Sequence, residues 1–106
     1  AWHTVPVQLR HLLDDVRYQM EHNSFSSDEL VARFHHRLVL IHPFPNGNGR
    51  HARLMADLLI HQLGGNPFTW GGGSLDKASE IRTRYINALR AADKGDIVPL
   101  VLFMRS

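Results

Sequence analysis

The residues of this chain best equipped for chemistry gather in one stretch, HPFPNGNGRHAR, running from His42 to Arg53. Within it the run Pro43, Phe44, Pro45, Asn46, Gly47, Asn48, Gly49 joins two segments of helical pattern. Its glycines admit backbone conformations and close ligand approach that a side chain would block. The run feeds straight into a helix start, where amides without intrahelical acceptors and the positive end of the helix dipole favour an anion. Phosphate fits such a place. A first helical turn ordinarily prefers Asp or Glu, yet this one carries Arg50 and Arg53. Each such placement costs ~0.3–1 kcal/mol, so a bound polyphosphate shared by several donors is the compensation the pattern implies. His42, held by the turn at Pro43, has the side chain whose pKa suits proton transfer near neutral pH, and it reads as a general base. A Gly- and Asn-rich turn between helices also occurs without any ligand, and an arginine pair is often a surface pair. The histidine, the arginines and the helix start taken together put the functional reading ahead.

Two helices must hold those residues in place, and apolar positions do recur at helical spacing almost throughout the chain. No segment alternates with period two for long enough to count as a strand. The fold is expected to be all-α, a compact helical bundle with the active-site loop between two central helices. After Pro6, Leu9, Leu12, Leu13, Val16 and Met20 form the stripe of a first helix that Asn23 and Ser24 end. Ser26 with Glu29 fits a capping box, and Leu30, Phe34, Leu38 and Ile41 share one face of a second helix. That helix must stop near His42, because Pro43 disfavours α geometry in the residue before it. A third helix is expected from about Gly49 to Leu63, with Leu54, Leu58, Leu59 and Leu63 inward and Gly64 and Gly65 closing it. A fourth is expected from Ser74 to Asp93, with Ala78, Ile81, Tyr85, Leu89 and Ala92 inward, and a short fifth over Ile97 to Met104.

At 106 residues the chain is expected to form one domain, residues 1–106. Ala1 stands where an initiator Met would, which fits either a processed N-terminus or an excised fragment with upstream parts missing. Cysteine is absent, which excludes disulfides and thiolate metal sites and suits a reducing cytoplasm. No apolar run approaches the roughly 20 residues of a membrane span, and the opening AWHTVPVQLRH is no signal peptide. The formal charge is +2, and ten of the twelve basic residues are Arg, the side chain suited to bidentate phosphate contacts. Those arginines are interleaved with Asp and Glu rather than gathered in a stripe, which argues against a nucleic-acid partner.

At this point a family resemblance enters. His42, Phe44, Gly47, Asn48, Gly49, Arg50 and Arg53 match, position for position, the signature H-x-F-x-(D/E)-G-N-G-R-x-x-R of the Fic (Fic/Doc) family. The likeness covers roughly residues 7 to 104, and the text RFHHRLVLIHPFPNGNGRHARL looks closest to the subgroup called mobile mystery protein B. The resemblance implies a protein adenylyltransferase that moves AMP from ATP to a Ser, Thr or Tyr hydroxyl of a target protein, with Mg²⁺ as cofactor. His42 would deprotonate the hydroxyl and Phe44 would anchor the loop. Gly47, Asn48 and Gly49 would form the anion cradle, Arg50 would sit on the phosphates, and Arg53 would reach the γ-phosphate. Retention of Gly49 resembles the AMP-transferring branch, since the phosphate-transferring Doc branch has a lysine there.

Two departures carry consequences. The acidic Mg²⁺-ligating position of the signature is Asn46, whose carbonyl oxygen can bind Mg²⁺ only without charge attraction. A non-catalytic or altered Fic-like module that binds nucleotide or a partner is therefore the alternative reading. The family's inhibitory pattern, (S/T)-x-x-x-E-(G/N), does not occur in the sequence, so inhibition is expected from upstream residues or from an antitoxin-like partner. Residues 1–7 read as the remnant of a target-docking flap. Outside the loop, His35, His36, His51 and His61 lack the HExxH spacing of a zinc site and read as core or surface histidines. Trp70 reads as a packing plug more readily than an adenine contact, and Tyr85 at least as readily as core as a pocket residue.

Overall fold

The computed structural model describes residues 4–42, 47–73 and 75–106. Among them the secondary structure is all-α: α1 (Val5–Glu21), α2 (Ser27–Ile41), α3 (Asn48–Gln62), α4 (Ala78–Asp93) and α5 (Val98–Arg105). The chain divides into two compact units, residues 1–65 with α1 to α3 and residues 66–106 with α4 and α5. No helix among the described residues is long and apolar enough to cross a membrane.

Local chemistry sets most helix ends. Ser26 caps α2 by accepting the Glu29 amide at 3.3 Å. The reciprocal half of the expected capping box is replaced, because the Glu29 carboxylate takes Arg33 Nε at 3.0 Å. Three helices end in the same paired hydrogen bonds of a Schellman turn, with Asn23, Gly64 and Gly95 at the left-handed position. α1 opens with Pro in its first turn, where the missing N–H costs nothing. Residues 5–7, expected as part of a flap remnant, are thus the first turn of α1, and residues 1–3 lie outside the described ones.

In the first unit α2 packs against both α1 and α3. It buries a broad arc, Leu30, Val31, Ala32, Phe34, His35 and Leu38, while α1 contributes Leu12 and Val16. The inward face of α3 corrects the sequence reading. Buried are Asn48, Ala52, Ala56 and Ile60, whereas Leu54 and Leu58 are 56% and 49% exposed. The buried row is spaced by four, Asn48, Ala52, Ala56 and Ile60, and its alanines let two helix backbones approach closely, while Leu54 and Leu58 fall on another face of the helix. Leu13 and Met20 of the expected α1 stripe are likewise exposed.

In the second unit α4 packs on α5. α4 begins at Ala78 rather than near Ser74, and Ala78 is exposed. Its buried positions are Ala88 and Ala92, with Ile81, Tyr85 and Leu89 half-buried. α5 buries Leu100, Phe103 and Met104. The loop ahead of α4 is tied to the end of α5, since the amides of Thr69 and Trp70 both reach the Met104 carbonyl at 3.0 Å.

Candidate active site

His42 ends α2 as its C-cap, with φ 54° and ψ 59°. Its amide still reaches back to the Leu38 carbonyl at 3.4 Å, and the residue is exposed. A left-handed backbone is uncommon for a residue with a side chain, though histidine adopts it more readily than most, and such strain concentrates at functional positions. Pro43 disfavours α geometry in the residue before it, so the helix ends at His42, though that effect alone does not select the left-handed region.

Six residues on, α3 starts. Gly47 is its N-cap with φ 75°, a conformation that glycine adopts without penalty, and an added Cβ there would meet nothing within 4 Å. The requirement for glycine at 47 is conformational rather than spatial. No side chain caps the helix and its first turn holds no acidic residue. The first ladder bond of α3 is His51 N–H to the Gly47 carbonyl at 2.9 Å, so the amides of the preceding three residues have no acceptor within the helix. Asn48 is buried at 8% exposure, Gly49 half-buried and Arg50 exposed.

The half-buried Arg53 folds back over this turn, its Nη1 only 3.9 Å from where a Cβ on Gly49 would stand. Gly49 has an ordinary φ and enough space for a methyl group, so protein packing alone gives no reason for glycine there. The expected residues Gly47, Asn48, Gly49, Arg50 and Arg53 are therefore brought together at one helix end, with His42 at the end of the preceding helix. Phe44 and Asn46 lie outside the described residues.

The comparisons with known proteins bear on this arrangement. A sequence model of the Fic/DOC family matches residues 1–60. The chain is 34% identical over 98 residues to Protein adenylyltransferase fic-1 of Caenorhabditis briggsae, covering 91% of this chain and 18% of that one. This chain belongs to the Fic/DOC family. It is also 35% identical over 82 residues to Protein adenylyltransferase Fic of Drosophila mojavensis, covering 77% of this chain and 15% of that one. The same name in Drosophila virilis goes with 37% identity over 74 residues, 70% of this chain and 14% of the other. The chain thus spans less than a fifth of the length of these curated relatives.

Within this Fic chain the remaining candidates sort by their surroundings. Among the described residues no group of three or more His, Asp or Glu side chains is placed to hold a metal ion. His36 and His51 are half-buried on their helices and His61 is exposed. Trp70 packs edge-on against Phe68 and Tyr85, with ring centroids 5.8 and 6.5 Å away, and Tyr85 in turn lies 5.4 Å from Phe103. Both belong to the aromatic packing of the second unit. The residue that sequence reasoning undervalued is His35. It is fully buried on α2 and hydrogen-bonded to the backbone of Ala52 on α3. Desolvation lowers its pKa from 6.5 to about 4; the nearby charges of Arg53 and His36 push the same way and the Ala52 bond opposes them. Its placement two helical turns before His42 was the available signal.

Proposed function

We propose that residues 1–106 act as one Fic catalytic core domain, a protein adenylyltransferase that transfers AMP from ATP to a Ser, Thr or Tyr hydroxyl of a target protein. The observation that carries the reading is the start of α3: a glycine N-cap without a side-chain cap, no acid in the first turn, and Arg53 lying over Gly49. Such an end is built for a polyphosphate. The adenylyltransferase names of the relatives supply the reaction class.

In the proposed reaction His42 takes the proton of the target hydroxyl, and the freed oxygen bonds to the α-phosphorus of ATP. The bond from that phosphorus to the bridging oxygen breaks, and pyrophosphate leaves. Gly47, Asn48 and Gly49 offer the cradle, Arg50 holds phosphate oxygens and Arg53 the γ-phosphate, which leaves the α-phosphate nearest His42. Placement and charge stabilisation, rather than covalent chemistry, supply the acceleration.

The described residues build no metal cage of their own. Mg²⁺ keeps several waters and rides on substrate phosphates with one or two protein oxygens. Asn46 would provide such an oxygen, and the ion when bound would neutralise phosphate charge. In this proposal control comes from upstream residues or from an antitoxin-like partner protein, and the setting is the cytoplasm.

The test is to incubate the chain with lysate protein and ATP labelled in either the α- or the γ-phosphate. Transfer of α-label, with an adduct mass of AMP, is the expected result. Label from the γ-position alone would replace this reading with a Doc-type phosphate transfer. Bound ATP without transfer of either label would replace it with a non-catalytic binding module.

A further inference from the structure

His35 has no part in the proton transfer just described, yet among the described residues of the first unit it is the most deeply buried polar side chain, at 0% exposure. Its partner Ala52 is also at 0% and carries no side chain long enough to hold the helices apart. The bond between them favours a protonated ring, which identifies the ring as donor and the Ala52 carbonyl as acceptor. That carbonyl lies inside α3, where the amide four residues on already points to it. A carbonyl has two lone pairs, and the histidine takes the second.

The consequence lies one residue further along. Arg53 follows Ala52 directly, its charge is felt at the His35 ring, and its Nη1 stands 3.9 Å from the Cβ position of Gly49. The bond to Ala52, the peptide link to Arg53 and the Arg53 side chain beside Gly49 therefore lead from the buried α2–α3 seam to the first turn of α3. With a pKa near 4 the ring is neutral at physiological pH, so it donates one proton without adding a charge beside Arg53. It is also sealed from solvent, so it cannot exchange protons with a substrate.

We propose that His35 is a positioning residue for the phosphate site: its hydrogen bond to the Ala52 carbonyl fixes the register of α3 on α2 and thereby holds Arg53 over the start of α3. The proposal rests on the reading of that helix end as a triphosphate site. A phenylalanine would fill the same space but cannot donate, and α3 would be free to slide or rotate by the small amounts that misplace a guanidinium.

The experiment is calorimetric titration of ATP into the chain and into His35→Phe and His35→Gln, each with and without Arg53→Ala, with circular dichroism confirming that every variant is folded. Glutamine keeps a donor of similar reach. We expect His35→Phe to raise the Kd for ATP roughly tenfold, about 1.4 kcal/mol. His35→Gln should restore it to within about threefold of wild type. In the Arg53→Ala background the same His35→Phe exchange should move the Kd by less than about twofold, because the residue through which His35 acts is gone. Should His35→Phe not fold, His35→Met, with its adaptable thioether, takes its place in the cycle. An unchanged Kd in a folded donorless variant would overturn the proposal and leave the triphosphate site standing. So would a tenfold loss that persists without Arg53, or a glutamine that restores nothing. A wild-type chain that binds no ATP would overturn the triphosphate reading and this proposal with it.

Discussion

Acid should destabilise the first unit through His35 by an amount that its burial sets. In the unfolded chain the ring has its ordinary pKa of 6.5, and in the fold it is held down to about 4, chiefly by desolvation. Between those two values the unfolded state binds a proton that the native state refuses, so stability falls as pH falls. The contribution is fully present above about 6.5 and is lost as pH drops toward 4. At 1.36 kcal/mol per pKa unit the gap amounts to about 3 kcal/mol, a large share of the roughly 5–15 kcal/mol that a domain of this size commands. Arg53 and His36, which face the ring, contribute in the same direction, while the Ala52 bond opposes them. The assay is urea unfolding followed by circular dichroism at a series of pH values across that window, for wild type and His35→Gln. Subtracting the two curves removes the titration of the other histidines. The wild-type advantage should shrink by about 3 kcal/mol across the window. A difference that stays constant would refute the reasoning, because it would mean that the native ring protonates as easily as the unfolded one.

Three further outcomes follow from the site and the packing. His42→Ala should lower AMP transfer by ~10²–10⁴-fold and leave the calorimetric Kd for ATP near wild type, since base catalysis adds to rate rather than to ground-state affinity. Asn46→Asp should lower the Mg²⁺ concentration needed for half-maximal transfer by adding charge at a proposed metal ligand, and an unmoved metal titration would remove Asn46 from that role. Gly71→Ala should destabilise the second unit. Its φ is 80°, and an added Cβ would stand 2.9 Å from Ile81 Cγ2 and 3.1 Å from Phe103 Cε1. Backbone strain and overpacking together cost about 2–4 kcal/mol, to be read as a lowered unfolding midpoint.

What could be read from the sequence was whatever depends on near neighbours along the chain. The cap at Ser26, the halt at His42 before Pro43, and the left-handed turn at Gly64 are each decided within a few residues, because the hydrogen bonds involved are local. The signature from His42 to Arg53 was legible for the same reason: its chemistry is written in consecutive positions. The face of α3 was not. Leucine outranks alanine in hydrophobicity, so Leu54 and Leu58 looked like core, but burial depends on how closely a partner helix must approach. In the fold Ala52 and Ala56, not those leucines, are fully buried on α3. His35 shows the same division. Its position on α2 was plain, whereas its bond to Ala52 and its proximity to Arg53 join residues 17 and 18 positions apart. Such a pairing exists only once two helices have packed, and no property of either segment alone specifies it.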